Sequence, residues 1–391
     1  MPDTEQFVYL DNAATTFPKP AEMHDAMSRF YRECGVNPGR TGCDLALRAG
    51  EMIDQTRRRL SALFCPGPQP KDHNRLVFAP NATGALNLLL QGVVRPGDHV
   101  ITTALEHNSV IRPINHLVQR GATATFVKPD VAGDVDPQEI RRALRPVTKL
   151  VIVNHASNVT GVVQDLESIG AVCEEAGVLF AVDAAQTAGV LPIDMRAAHL
   201  DFVAFTGHKG LFGPTGTGGL CVADDVEIES SIWGGTGVRS AEPMHLREFP
   251  YRLEAGTQNL MGIAGLSAGL DWIEARGMAA IHRHEMELLG LLEEGLAGIK
   301  GVTLYGPRRL ARRVAVLSVT VANYDPSDVG TILDVEYGIQ TRTGLQCAPL
   351  IHAHQGTGER GTVRFSIGPF NTREHVLHAV KAMEEIAADR P

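Results

Sequence analysis

The sequence lacks several features that mark other classes of protein. Its six cysteines form no C-x-x-C pair and its 15 histidines no H-E-x-x-H spacing, so neither a disulfide framework nor a metal site is predicted. No apolar run approaches the about 18 residues of a membrane span, and the acidic N-terminus MPDTEQFVYL is unlike a secretory signal. We therefore expect no metal, no membrane association and a cytoplasmic location.

Basic clusters are also scarce. The 36 lysines and arginines are outnumbered by 45 acidic residues, which gives a net charge of −9. The densest basic run, Arg57 to Arg59, lies in a helix predicted from Leu45 to Phe64, and we assign it to the exposed face of that helix, with Asp44 as the cap. Nucleic acid is therefore not an expected partner.

The chain does contain enough apolar sequence for a large core, with 44% hydrophobic residues in a length of 391. That length predicts two or three domains. From Arg75 onward, apolar strands alternate with helical segments, which is typical of an α/β fold with a mainly parallel sheet covered on both faces. In such a fold the ligand site lies at the carboxyl ends of the strands. From Met261 a long helical region leads to a smaller α+β unit.

One stretch, DFVAFTGHKGLFGPTGTGGL, places Lys209 directly after a predicted strand. Desolvation and neighbouring positive charge favour the uncharged amine, which forms Schiff bases with aldehydes, although a single lysine is more often a solvated loop residue. Upstream, the strand in VLFAVDAAQTAG ends at Asp183. A carboxylate there keeps a pyridine nitrogen protonated, so this pair is the electron-sink arrangement of pyridoxal phosphate.

Other polar residues also fall at strand ends. Thr83 opens a predicted helix whose free N–H groups suit a phosphate, although similar turns open most helices. The segment HVITTALEH is predicted as a strand ending at Glu106 and His107, where a histidine is able to stack on a flat cofactor or move protons but is more often a plain loop residue. The residues that converge at such ends are Thr83, His107, Asn158, Asp183, Gln186, Thr206, His208 and Lys209.

Two further segments carry candidate residues. Residues 229 to 260 are irregular and glycine-rich, and Gly256-Thr257 is a candidate phosphate contact across a subunit interface. Cys347 lies in a glycine-rich loop, with Arg342 before it and Arg364 on the next strand. Nearby guanidinium charge raises the thiolate fraction, and either arginine suits a substrate carboxylate. The alternative for Cys347 is a buried structural thiol.

Several motifs together resemble one enzyme family. YLDNAATT, HASNVTG, DAAQ, TGHKGLFGPTGTGG, EAGTQN and RTGLQCAPL followed by TVRFSIGPFNT are similar to the class V aminotransferase-like pyridoxal phosphate enzymes, and within them to the cysteine desulfurases and selenocysteine lyases. The resemblance spans nearly the whole chain. It implies a homodimer of fold type I with a seven-stranded sheet. We predict a large cofactor-binding domain over residues 21–260 and a small domain, formed by residues 1–20 and 261–391, that carries the cysteine loop.

The resemblance also implies roles for the matching residues. Lys209 would hold the aldehyde of pyridoxal 5'-phosphate, Asp183 its pyridine nitrogen, and His107 would stack on its ring. The other cofactor-binding residues would be Ala82, Thr83, Asn158, Gln186, Thr206, His208 and, from the partner subunit, Gly256 and Thr257. Asn12, Arg342 and Arg364 would bind the substrate, and Cys347 would accept its sulfur.

The reaction implied is conversion of L-cysteine to L-alanine, with the sulfur passing through a persulfide on Cys347 to an acceptor protein. L-Selenocysteine would enter by the same path. Leu345 and Gln346 precede Cys347, where some relatives have histidine before the cysteine. One alternative is another class V enzyme, an aminotransferase, selenocysteine lyase or β-lyase, in which Cys347 is incidental. Another is a non-catalytic cofactor-binding or sulfur-relay scaffold. The pathway, whether iron–sulfur cluster assembly, tRNA thiolation or another, stays open.

Overall fold

The computed structural model describes residues 7–39, 43–67, 72–307, 312–358 and 360–389. Within these ranges the helices are α1 Ala21–Cys34, α2 Asp44–Phe64, α3 Ala82–Val93, α4 Asn108–Gln119, α5 Pro137–Ala143, α6 Leu166–Ala176, α7 Leu260–Arg276, α8 Met278–Ala297, α9 Pro326–Tyr337, α10 Pro349–Gln355 and α11 Arg373–Ala388. The strands are β1 Val8–Tyr9, β2 Leu76–Ala79, β3 His99–Thr103, β4 Thr123–Val127, β5 Thr148–Asn154, β6 Leu179–Asp183, β7 Phe202–Thr206, β8 Gly218–Val222, β9 Val302–Tyr305, β10 Val316–Val321, β11 Ile339–Gln340, β12 Arg342–Gly344 and β13 Thr362–Ser366. No helix in these ranges combines the length and the apolar character that a bilayer crossing requires.

A seven-stranded sheet forms the centre of the larger part of the molecule, in the order β2-β8-β7-β6-β5-β3-β4. The pairs from β4 through β7 are parallel, whereas β8 runs antiparallel to both β7 and β2. It follows that β2 runs parallel to β7. The carboxyl ends of all strands except β8 therefore lie at one edge. The predicted α/β class with a mainly parallel seven-stranded sheet is confirmed.

The central strands are apolar throughout because both faces of the sheet are covered. On β5, Val151 and Val153 pack into one hydrophobic cluster, whereas Leu150 and Ile152 pack into the cluster on the opposite face. Successive side chains of a strand point to opposite faces, so each face receives alternate residues. Each buried aliphatic side chain stabilises the fold by about 1.5–3 kcal/mol. The sheet edge that holds the strand ends is therefore rigidly placed.

A glycine on β8 allows the sheet and α3 to approach closely. A Cβ atom added at Gly218 would lie 2.8 Å from the Cα atom of Asn81, which precedes α3. Because a side chain does not fit there, glycine lets β8 pass directly beside the start of α3. The N-terminus of α3 is thereby fixed at the same edge as the strand ends.

A second sheet, β12-β13-β10-β9, belongs to the smaller part of the molecule. Its core joins β10 and β13 to side chains from α8, α9 and α11. Leu10, from the start of the chain, is fully buried in the same cluster, and β1 pairs in parallel with β11. The N-terminal segment thus packs with C-terminal elements. The proposed domain boundaries remain a prediction.

The predicted end of the third strand is wrong. β3 stops at Thr103, and His107 is the N-cap of a helix, α4, that the sequence reasoning did not identify. The Thr103 hydroxyl accepts the backbone N–H of Leu105 at 3.1 Å and donates to the Glu106 carboxylate at 2.6 Å. A threonine that bonds two residues ahead turns the chain, although the residues themselves are apolar enough for a strand.

The assignment of Arg57 to Arg59 to one exposed helix face is also wrong. Arg57 is buried and pairs with Glu254 at 2.7 Å, whereas Arg58 is exposed and pairs with Asp54. With 3.6 residues per turn, three consecutive residues cannot share a face. The predicted cap is wrong as well, because Asp44 is the first residue of α2 and the N-cap, Cys43, makes no side-chain capping bond.

Candidate active site

A cavity of about 300 Å³ opens at the sheet edge where the carboxyl ends meet. Its size is at the lower end of the range of about 300–1,000 Å³ for small-molecule pockets. Its wall includes Ala82 and all the residues that the sequence places at strand ends, which are Thr83, His107, Asn158, Asp183, Gln186, Thr206, His208 and Lys209. The parallel arrangement of the strands brings these residues together.

Lys209 and Asp183 follow neighbouring strands, because β6 ends at Asp183 and pairs in parallel with β7. Burial lowers the pKa of Lys209 to about 8, against the opposing effect of the Asp183 carboxylate. Burial raises the pKa of Asp183, whereas the backbone N–H of Ala185, the charge of Lys209 and the hydroxyl of Ser109 act in the opposite direction. An amine with a pKa near 8 is uncharged in about one molecule in ten at pH 7, far more often than an ordinary lysine.

His107 presents a neutral ring to this cavity. Its Nδ1 atom accepts the backbone N–H of Ser109 at 3.0 Å and lies 2.8 Å from the Ser109 hydroxyl oxygen. Burial lowers the pKa of His107 to about 4, and the positive charge of Lys209 adds to this. An uncharged, anchored imidazole suits stacking against a flat ring better than it suits donating a proton at neutral pH.

One end of the cavity suits an anion. α3 begins there at Ala82, after Asn81, whose side chain accepts the N–H of Gly84 at 2.9 Å. The remaining N–H groups of a first turn have no partner within the helix and carry its positive dipole end. Thr206 and His208 add polar groups, and the His208 Nδ1 atom lies 3.1 Å from the Thr15 hydroxyl.

The exposed Cys347 lies between β12 and α10, beside a second cavity of about 390 Å³. This cavity shares Thr83, His107 and Ser109 with the cavity around Lys209, so the two adjoin. The pKa of Lys209, which burial lowers most strongly, is raised by the nearby Asp183 carboxylate and, to a smaller extent, by the nearby Cys347 side chain. The thiol therefore lies within electrostatic reach of the amine.

The predicted substrate-binding residues lie in different environments, some buried and one exposed. Arg364 on β13 is buried, pairs with the Asp11 carboxylate and donates to the backbone oxygen of Asn158 at 3.0 Å. Its Nε atom has no partner among the described residues. Asn12 lines a small cavity of about 50 Å³ that also reaches Lys209. Arg342 is exposed on β12, opposite Arg364 in register.

Gly256 and Thr257 are not brought into the wall of the Lys209 cavity within one chain. Thr257 instead lines a separate cavity of about 430 Å³ beside α3. Gly256 has a φ of +88° and its N–H donates to the oxygen of Gly235 at 2.8 Å.

Sequence reasoning missed several residues that complete the site. Ser109 and Asn154 line the cavity, and the pattern His-x-Ser at a helix start was the available signal for Ser109. Lys19 donates to the backbone oxygen of His208, and burial lowers the pKa of Lys19 to about 7. Nothing in the sequence near Lys19 indicates that it is buried against the site.

A lysine and an acid at the ends of neighbouring parallel strands, beside a neutral histidine and a helix N-terminus, define the fold type I class of pyridoxal-phosphate-dependent enzymes. The sheet order and the second, smaller sheet are consistent with that class. Within it, the chain belongs to the aminotransferase class-V family, whose model matches residues 8–378.

Similar proteins identify the kind of enzyme more narrowly. The chain is 37% identical to a probable cysteine desulfurase of Methanothermobacter thermautotrophicus, over 99% of this chain and 96% of that protein. It is 32% identical to a cysteine desulfurase of Escherichia coli O157:H7, over 97% and 93% of the two chains. The apo structure of a cysteine desulfurase from Thermococcus onnurineus NA1 superposes with a TM-score of 0.91 at 34% identity, over 99% and 96%. The predicted family and enzyme class, a cysteine desulfurase, are confirmed.

Proposed function

We propose that this enzyme uses pyridoxal phosphate held by Lys209 to take the sulfur of L-cysteine, releasing L-alanine and leaving a persulfide on Cys347. The observation that carries the proposal is that two cavities adjoin each other. One holds Lys209, Asp183 and His107, and the other holds the exposed Cys347 thiol. A nucleophilic thiol beside an amine and an acid suits removal of sulfur from an amino acid.

The residues present fit the cofactor. A buried carboxylate at Asp183 suits a protonated pyridine nitrogen, and the neutral ring of His107 suits the flat face of the heterocycle. Asn158 and Gln186 would lie near the phenolic oxygen. The start of α3 at Ala82 and Thr83, together with Thr206 and His208, offers the donors for the phosphate. When bound, pyridoxal phosphate supplies an electron sink for the amino acid's Cα–H bond.

In the proposed reaction, Lys209 removes the Cα proton of the bound amino acid, for which a pKa lowered to about 8 is suitable. The Cys347 thiolate then attacks the substrate sulfur. A sulfur–sulfur bond forms as the carbon–sulfur bond breaks, and the electron pair stays with the carbon, which takes up protons to become the methyl group of alanine. The thiol and cysteine are thus converted to a persulfide and alanine with no other reactant.

Arg364 is the proposed anchor for the substrate carboxylate, with Asn12 and Arg342 as further proposed substrate contacts. The Nε atom of Arg364 is buried and lacks a partner among the described residues, which supports a further acceptor near this guanidinium. Arg364 also pairs with Asp11. A bidentate carboxylate contact would compete for the same donors.

We further propose a homodimer in which Gly256 and Thr257 contact the phosphate bound by the partner subunit. Apolar side chains exposed in the segment before α7 support an interface there, with Trp233 70% and Met244 78% exposed. A cytoplasmic location and delivery of the sulfur to an acceptor protein are part of the same proposal. L-Selenocysteine would be an alternative substrate.

The replacement Cys347→Ala tests the proposal. The purified enzyme should retain the cofactor's visible absorbance but no longer release alanine from L-cysteine. It should also no longer gain the mass of one sulfur atom, about 32 Da, which a persulfide adds. Cys43→Ala is the matched control, because Cys43 is the other exposed cysteine of the described residues, and it should behave as the unmodified enzyme. Unchanged alanine release by Cys347→Ala would refute the role of this thiol.

A further inference from the structure

Gln346 and Cys347 have an unusual backbone conformation. Their φ angles are +40° and +58°, in the left-handed region that favours glycine. This conformation is unfavourable for residues other than glycine, because the Cβ atom lies too close to the following carbonyl oxygen. Two in succession persist only where the surroundings hold them. Gln346 is buried, whereas the next residue, Cys347, is exposed. The conformation thus turns one side chain inward and presents the thiol outward.

The inward side chain of Gln346 forms a buried hydrogen-bond network. Its Nε2 atom donates to the backbone oxygen of Thr362 at 2.9 Å, and its Oε1 atom lies 2.9 Å from Nε2 of His352. Because the Thr362 oxygen only accepts, the amide nitrogen must face it, and His352 must carry its proton on Nε2. His352 Nδ1 is then left to accept from the Thr357 hydroxyl at 2.8 Å.

His352 is completely buried on α10, and this keeps the network in one protonation state. Burial lowers the pKa of His352 to about 4, although a hydrogen bond with the Leu345 backbone opposes the shift. A neutral histidine with one donor and one acceptor matches the Gln346 amide and the Thr357 hydroxyl on either side. The network therefore stays intact over the physiological pH range.

The cavity walls hold the two strained peptide units from the other side. The side chain of Asn158 donates to the backbone oxygen of Gln346 at 2.8 Å, and the N–H of Asn108 donates to the oxygen of Cys347 at 2.7 Å. These two bonds and those of the Gln346 side chain offset the conformational cost of two left-handed residues. Losing the side-chain bonds shifts that balance toward a relaxed backbone.

We propose that the Gln346–His352 pair positions Cys347. The pair fixes the backbone conformation that holds the thiol at the border of the Lys209 cavity, without movement of the loop. The proposal rests on the proposed sulfur transfer to Cys347. Neither Gln346 nor His352 lines the two cavities, so both are positioning residues. The pair requires at position 346 a side chain with one donor and one acceptor, which glutamine provides and a neutral histidine also provides.

The test compares the holoenzyme with Gln346→Leu, which removes both polar groups at similar size. Two quantities are measured: hydrogen–deuterium exchange of the peptide covering residues 343–350, without substrate, and persulfide formation on Cys347 in a single turnover with L-cysteine. We expect exchange at the Ala348 amide, which donates to the Leu345 oxygen at 2.8 Å, to rise several-fold and persulfide formation to slow at least tenfold. The absorbance of the bound cofactor should not change.

Gln346→His is the rescue variant, expected to restore both quantities to within about threefold of the unmodified enzyme because it keeps a donor and an acceptor. On α10, His352→Leu, which removes both polar ring atoms, should slow persulfide formation, whereas His354→Leu, at an exposed position of the same helix, should not. The comparison of the two α10 variants also tests the proposal if Gln346→Leu fails to fold.

The proposal is overturned if Gln346→Leu shows the same hydrogen–deuterium exchange and the same rate of persulfide formation as the unmodified enzyme. It is also overturned if Gln346→His and Gln346→Leu form the persulfide at the same rate, since the hydrogen-bonding groups would then be irrelevant. Equal rates in the two α10 variants would overturn it as well. If the unmodified enzyme itself forms no persulfide, the proposed function has failed. In that case the exchange measurement, which contains no cysteine substrate, still decides whether the pair fixes the Cys347 backbone.

Discussion

Arg57 on α2 and Glu254 in the segment before α7 form a buried, two-pronged ion pair, with Nη1 to Oε1 at 2.7 Å and Nη2 to Oε2 at 3.0 Å. The Glu254 Oε1 atom also accepts the backbone N–H of Phe78 on β2 at 2.6 Å. One carboxylate thus joins α2, the edge of the large sheet and the segment that leads to Thr257. The proposed contact of Thr257 with the partner's cofactor depends on this anchor.

Removing the Glu254 carboxylate should be costly. We expect Glu254→Ala to lower the free energy of unfolding by about 3–5 kcal/mol, because Arg57 would remain buried without a counter-charge. Urea unfolding measures the change. Glu229→Ala is the control, since the Arg95–Glu229 pair is exposed and should contribute less than about 1 kcal/mol. Equal effects of the two replacements would contradict the importance assigned to burial.

The cofactor should be trapped on Lys209 and not on Lys19. Burial lowers the pKa of both amines, to about 8 for Lys209 and about 7 for Lys19, so amine reactivity alone would favour Lys19. Lys209, however, lines the cavity at the strand ends. Borohydride reduction followed by peptide mapping should place the label on Lys209 and find none in Lys209→Ala. Labelling of Lys19, or none, would refute the assignment of the cofactor.

Asp183→Asn should separate cofactor binding from turnover. An amide retains much of the size and hydrogen bonding of the carboxylate but is too weak a partner for a protonated ring nitrogen. We therefore expect visible cofactor absorbance to remain and alanine release to fall by at least about 100-fold, roughly 3 kcal/mol. Asp201→Asn is the control, because Asp201 is also partly buried but lies before β7, at the opposite sheet edge. Comparable losses in both variants would argue against the role of Asp183.

Glu285 should make stability depend on pH. It is buried on α8, forms no ion pair within the described ranges, and burial raises its pKa to about 8 from an ordinary 4.5. The folded state thus binds more protons than the unfolded state between these values. The free energy of unfolding should therefore fall as pH rises from about 4.5 to 8, by roughly 3–5 kcal/mol from this group.

Glu285→Gln removes this dependence because an amide does not ionise. Its advantage over the unmodified enzyme should grow with pH up to about 8, as followed by urea unfolding at several pH values. Glu287→Gln, at an exposed position of the same helix, should show no such trend. A constant difference between Glu285→Gln and the unmodified enzyme would contradict a neutral buried carboxyl at this position.

The sequence alone determined the repeating strand and helix pattern, and with it the sheet class and the list of residues at its carboxyl edge. That list includes Lys209 and Asp183, because a polar residue at or shortly after the end of an apolar strand is a local feature of the chain. His107 is also on the list, although β3 ends earlier, at Thr103. Parallel strands then bring such residues together without any further information. The family motifs predicted the cofactor and the class of reaction.

Only the tertiary structure decided the features that depend on contacts between distant segments. Arg57 is buried because Glu254, far along the chain, supplies its counter-charge. The left-handed backbone at Gln346 and Cys347 depends on partners from three other segments, which no local pattern records. Periodicity reports which side chains are buried on average. It does not report which polar groups find each other, since that is fixed by packing across the whole fold.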